Sequence, residues 1–199
     1  MTLIARSSSL LHIALLSGLV LGAPASGFAA DNKTAAVPAE PAVTTASYGN
    51  WVLRCVNLPA GKDGQAAAIP VTSCEVSETV QVQGQAQPVA QIALGRIPGD
   101  KTLILTAVLP SNIAIPGMVH ISGNGKTGAD EEGAIDMSWN RCAGGACFAT
   151  AKPDAAAIKT LRSGKDGHIR LTDASGRVIS IPLSWNGLDQ ALTALDKQG

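Results

Sequence analysis

Hydrophobic and polar residues alternate in short runs along most of this chain, the period-two signature of half-buried β-strands. Trp51, Leu53 and Cys55 share one face, with Val52, Arg54 and Val56 on the other. From Cys74 to Val82 the alternation is weaker, with Cys74, Val76 and Glu78 opposing Thr79 and Gln81. Ala90, Ile92 and Leu94 alternate with Gln91, Ala93 and Gly95, and residues 102–109 are apolar on both faces, as in a central strand. The clearest alternation sets Ile135, Met137 and Trp139 against Asp136, Ser138 and Asn140, and it predicts Trp139 to be a core residue. Ile169 and Leu171 lead into Asp173-Ala174-Ser175-Gly176, and Ile179, Ile181 and Leu183 follow, which reads as a hairpin.

Two segments have helical spacing instead. Residues 154–162 lie between Pro153 and Gly164, a breaker at each end. Leu188, Leu192 and Leu195 repeat at helical intervals, with Asn186 as the predicted N-cap and Asp189 in the first turn, where a negative charge suits the positive helix end. Strands outnumber helices, and the first hundred residues of the domain offer no helix between strands, which excludes a doubly wound α/β fold. The pattern predicts an antiparallel β-sandwich with two short helices.

The N-terminus has a different organisation. Arg6 precedes an apolar core from Leu10 to Leu21, and small residues follow at Ala23, Ala25, Gly27, Ala29 and Ala30. This is the layout of a cleavable secretory signal over residues 1–29, with cleavage after Ala29. Its apolar core is too short to cross roughly 30 Å of hydrocarbon, and no later segment reaches about 18 uninterrupted apolar residues, so the mature form is expected not to span a membrane. Residues 30–46 are rich in Pro, Ala and Thr without a hydrophobic period and read as a disordered linker. Residues 47–199 have the size of one domain with one core. The 15 basic and 15 acidic residues balance, and losing Arg6 with the leader leaves a slight negative excess. Such a surface offers no electrostatic footprint for nucleic acid.

Export changes how the four cysteines are read. Cys55, Cys74, Cys142 and Cys147 all lie beyond the leader, and an even number in an oxidising compartment points to disulfides. Four cysteines allow three pairings, and sequence alone does not choose among them. The run Cys142-Ala143-Gly144-Gly145-Ala146-Cys147 favours a small ring, since glycines permit its turn, and this leaves Cys55 for Cys74. A four-thiolate zinc site lacks the close C-x2-C pairs it needs, and the spacing at 142/147 is not the C-x-x-C of a redox couple.

Other candidate chemistry is weaker. Gly123-Asn124-Gly125-Lys126-Thr127-Gly128 satisfies G-x-G-x-x-G in form, but Asp130, Glu131 and Glu132 follow in place of an apolar helix and would repel a diphosphate. It reads as a flexible hairpin loop. Asp130, Glu131, Glu132 and Asp136 lack the regular spacing of a calcium loop and read as solvated acids. His168 shares a strand face with Arg170 and Thr172 and is expected to be solvated, whereas His120 fits either sheet surface. No nucleophile motif stands near either histidine. No catalytic, cofactor-binding or metal-binding residue is assigned.

With cysteines and tryptophans placed, the chain resembles the invasion-associated locus B family of exported bacterial proteins. Tyr48-Gly49-Asn50-Trp51-Val52-Leu53-Arg54-Cys55 resembles the family's aromatic-Gly-x-Trp-x-x-x-Cys start, and Leu109-Pro110 with Ile115-Pro116-Gly117 its central segment. Trp139-Asn140-Arg141-Cys142 through Cys147-Phe148-Ala149 resembles its second cysteine pair. Ile181-Pro182-Leu183-Ser184-Trp185-Asn186-Gly187-Leu188, with Ala191-Leu192, resembles its closing strand-to-helix element, although Leu188 stands where a phenylalanine is expected. The resemblance implies an immunoglobulin-like β-sandwich, a periplasmic, secreted or cell-surface location, and a link to host-cell invasion and virulence. It brings no catalytic residue or cofactor. The expected role is therefore non-enzymatic: binding of an envelope or host protein. The alternative is a hydrolase acting on an envelope polymer, which needs two carboxylates facing across a cleft, and 130–136 or Glu75 with Glu78 are the acidic groupings available.

Overall fold

Where the alternation is strongest the chain forms strands, and these join into one sheet. The computed structural model describes residues 42–58, 71–97 and 99–198; the leader assigned to 1–29 and the linker as far as 41 lie outside them. Among the described residues, ten strands run β1 (Val43–Tyr48), β2 (Trp51–Leu58), β3 (Val71–Val80), β4 (Ala90–Gly95), β5 (Ile104–Pro110), β6 (Met118–Ser122), β7 (Ile135–Ala143), β8 (Ala146–Ala151), β9 (Asp166–Thr172) and β10 (Val178–Ser184). Helix α1 (Ala155–Ser163) lies between β8 and β9, and α2 (Leu188–Asp196) follows β10. The sheet order is β1-β2-β3-β4-β5-β8-β7-β6-β9-β10, with antiparallel pairing throughout. No helix among these residues is long and apolar enough to cross a membrane.

Two expectations change here. The two separate layers of an immunoglobulin-like sandwich do not form, because β8 pairs with β5 on one side and with β7 on the other and so joins both halves into one sheet. Periodicity reports which residues face the core, not whether two layers share a ladder. The predicted linker also ends early: 43–46 belong to β1, where Val43, Thr44 and Thr45 favour extended backbone and Ala46 and Tyr48 pack against the core.

The sheet curls until its last strand meets β2 and β3, and side chains close the seam in place of a ladder. Ser184 of β10 donates its N–H to the Glu78 carboxylate at 3.1 Å, and its C=O accepts the Trp51 indole N–H at 2.9 Å. Trp51 stacks on Trp185 with ring centroids 6.0 Å apart. Asn50 N–H donates to Asn186 C=O, which brings the β1–β2 turn onto the start of α2. The approach is so close that a Cβ on Gly187, at φ +93°, would collide with the Tyr48 carbonyl. Gly187 rather than Asn186 is the N-cap of α2, and Asn186, one residue earlier, bonds Asn50 through its C=O and its side-chain amide.

Helix α2 lays Leu188, Ala191, Leu192 and Leu195 against the core beside β1, β2 and β3. Helix α1 begins with Asp154 as its N-cap, accepting from Ala157 N–H at 2.7 Å, and buries Ala157 and Leu161. Disulfides join Cys55 to Cys74, directly opposite in the β2–β3 ladder, and Cys142 to Cys147, opposite in the β7–β8 hairpin. That hairpin turns on Gly144 and Gly145, both at positive φ, as a two-residue turn matched to strand twist requires.

Candidate functional site

The tight β7–β8 hairpin and the loop after β5 lie together at one end of the sheet, tied by Ser111 N–H donating to Gly145 C=O. A bulge governs what this end presents. Trp139 pairs with Ala149, but Arg141 pairs with Phe148, so Asn140 is an extra residue in β7. One inserted residue reverses the facing of side chains beyond it. Trp139 therefore turns toward the core, while Arg141 turns outward and places its guanidinium 4.9 Å from the centre of the Phe148 ring. Trp139 is half-buried rather than the full core residue expected, because this strand leaves the core at the bulge. The loop closes on it at Gly117, where a Cβ would stand 3.9 Å from the indole nitrogen. Ile115 and Met118 project beside it as exposed apolar side chains.

A polar cluster occupies the outer face of β6, β7 and β9. Val119 and Ile121 turn inward, which places His120 on the outside. Its Nδ1 lies 2.6 Å from Asp136 Oδ1 and its Nε2 2.7 Å from Glu131 Oε1. Ionised carboxylates only accept, so this pair of contacts favours the imidazolium, in which both ring nitrogens donate. Arg170 grips both oxygens of Glu131 at 3.1 and 2.9 Å. Glu131 is consequently not a solvated acid: its side chain is 8% exposed, folded beneath the loop that carries it. His168 is also buried, at 7%, because the β6–β9 pairing puts it opposite Ser122 beneath the same loop.

These contacts also settle the shape of the glycine loop. The Asn124 side chain accepts from Lys126 N–H and donates to Asp130 C=O, and a single 3₁₀ turn (Gly128–Asp130) follows before β7. The helix that a dinucleotide site needs is not there. Glu131 and Asp136 do converge, but on an imidazole, where each commits an oxygen to it. Glu75 and Glu78 point to opposite faces of β3, Glu78 inward.

The two sheet histidines titrate in opposite directions. Burial works against a charged His120, but hydrogen bonds to Asp136 and Glu131 and the Glu131 charge outweigh it and raise the ring above 6.5. Burial first, then the Arg170 charge, lowers His168 below 6.5. His120 therefore contributes stability that is complete below the unfolded value and is lost as pH rises through its folded one. His168 has the reverse sign and opposes folding in acid. Proton NMR titration of the histidine ring signals should show one midpoint on each side of 6.5; coincident midpoints would contradict the cluster.

The Arg141–Phe148 pair escapes a reading of the sequence, although a signal is present: once Cys142 faces Cys147, Arg141 must face Phe148. The bulge that aims the pair outward has no such signal. His120 and Glu131 stand out only singly in the sequence, and their meeting depends on how the loop folds back.

Similarity to known proteins extends over the whole domain. The family model described as "Invasion associated locus B (IalB) protein" matches residues 51–196. The crystal structure of invasion associated protein b from Bartonella henselae is similar at a TM-score of 0.59 and 18% identity, over 77% of this chain and 96% of that one. No curated protein matches the chain. The family match runs from Trp51 to Asp196, through both disulfides, the seam at Glu78 and Ser184, and α2, and the chain belongs to the invasion associated locus B family.

Proposed function

We propose that this protein is an exported, non-enzymatic component of the bacterial cell envelope, periplasmic or at the surface, that acts by binding another protein. The link to invasion carried by the family's name extends, in this reading, to a partner in the envelope or on a host cell. The observation that carries the binding role is the disulfide-stapled sheet end, where Arg141 lies over Phe148, with exposed Met118 opposite Ser138 on the neighbouring strand and exposed Ile115 on the loop before it. Arginine and aromatic side chains dominate the energetic centres of protein interfaces. A rigid hairpin that displays them loses little conformational entropy on binding. Export is supported by the leader and the paired cysteines.

Site-specific photocrosslinking in intact cells, read by mass spectrometry, tests the reading. A crosslinking residue at Met118 or Ile115 should capture one defined protein, and one at Val178 should not. Arg141→Ala should weaken the purified complex by roughly tenfold or more. Equal capture from Met118 and Val178, or an unchanged affinity in the Arg141 variant, would refute this surface.

A further inference from the structure

The two edges of the sheet are treated differently. On β10, Pro182 has no N–H to offer, and Ser184 has its N–H and C=O taken by Glu78 and Trp51. These are ordinary devices for blunting an edge strand. Strand β1 has none of them. From Ala42 to Tyr48 it carries no charge, no proline and no register break against β2. Asn57 N–H donates to Ala42 C=O, which makes 42/57 a hydrogen-bonded pair. Alternation then gives the same role to Thr44, Ala46 and Tyr48 and turns the N–H and C=O of Val43, Thr45 and Ser47 outward. Among the described residues no strand pairs with that side.

We infer that β1 pairs antiparallel with β1 of a second copy about a two-fold axis at Thr45, joining two ten-stranded sheets into one. This edge is self-complementary. The two-fold sets Thr45 opposite its own counterpart and Val43 opposite Ser47, and each pair exchanges both main-chain bonds. No charge lies on either strand to repel the other. The outer-face side chains match as well. Val43 is 43% exposed and Val52 37%, and Ser47 is the neighbour of Val52 across the β1–β2 ladder. Val43 of the second copy would therefore stand next to Ser47, in the same cross-strand row as Val52, and its own exposed side chain would gain a neighbour on each side of the axis. Threonine facing threonine adds a favourable cross-strand pair. On the inner side, a groove of about 300 Å³ between β1 and the end of α2, edged by Ala194, Lys197 and Gln198, leaves room for the small Thr44 and Ala46 side chains of the incoming strand. Two-fold dimers are also the commonest closed assembly.

Sedimentation velocity on the full chain, recovered after export, gives the test. The wild type should be a dimer, and Thr45→Pro a folded monomer that melts where the wild type does once diluted below its dimer Kd, because the lost N–H points out of the fold and a proline suits extended backbone. Val178→Lys, on the blunted edge, should stay dimeric. Thr45→Cys should crosslink to its counterpart on mild oxidation, since about 5.5 Å between α-carbons of a hydrogen-bonded pair lies within disulfide reach, whereas Ser47→Cys alone should not. A wild type that is monomeric up to about 100 µM, where a Kd near 10 µM would show, overturns the proposal. So does a dimer that survives Thr45→Pro, or one in which Ser47→Cys crosslinks and Thr45→Cys does not.

Discussion

Replacing Trp51 with Ala is expected to destabilise the protein by about 3–5 kcal/mol, the range for removing a large, fully buried aromatic. Trp51 is fully buried, stacks on Trp185, and supplies the indole N–H that Ser184 C=O accepts. It joins β2 to the far end of the sheet, so its loss opens a cavity at the place where no ladder holds the curl closed. Trp51→Phe separates the two contributions. It keeps most of the packing but leaves the half-buried Ser184 carbonyl without its donor, a cost of about 1 kcal/mol. Equilibrium denaturant melts with the disulfides intact measure both. A loss under roughly 1 kcal/mol for Trp51→Ala would mean that the seam contributes little and that the ladders alone hold the curl.

Glu78→Gln should stabilise the protein above neutral pH and change little in acid. Burial at 6% exposure pushes the Glu78 carboxyl up to about 7, partly opposed by the Ser184 N–H that it accepts. The folded state then holds a proton that the unfolded chain, titrating near the ordinary 4.5, has already released. Stability from this group is complete below about 4.5 and is lost as pH rises through about 7. At about 1.4 kcal/mol for each tenfold change in proton activity, the swing comes to a little over 3 kcal/mol. Glutamine accepts from Ser184 and never ionises, so the variant should lack this slope. Melts at pH 4.5, 6 and 8 should show two curves that meet in acid and diverge by up to about 3 kcal/mol at pH 8; parallel curves would show that Glu78 is solvated when the protein folds.

Much of the fold is legible in the spacing of apolar residues. Two-residue periodicity picks out the buried faces of β2, β4, β7, β9 and β10, because a strand between core and solvent must alternate whatever its neighbours are. Breakers bound α1 within a residue at each end. Local pattern fails where a residue's environment comes from a distant segment. His168 carries a solvent-facing pattern but is buried by the loop that Glu131 folds down. Glu78 falls on an inward face that its spacing can name, yet its reason for being there is an unpaired N–H on β10, 106 residues away.

By itself the sequence determined the family motifs, the two helices and the inward faces of the strands whose alternation is clear, since each depends on spacing within a few positions. Tertiary structure alone decided that β8 fuses two halves into a single sheet, that Asn140 bulges and aims Arg141 over Phe148, and that two carboxylates close on His120. It also decided which edge was left open: Pro182 and the Glu78–Ser184 bond close β10, while β1 keeps its outward N–H and C=O groups. These outcomes depend on which strands become neighbours, and periodicity is silent on that because any strand with the same alternation could pair with any other.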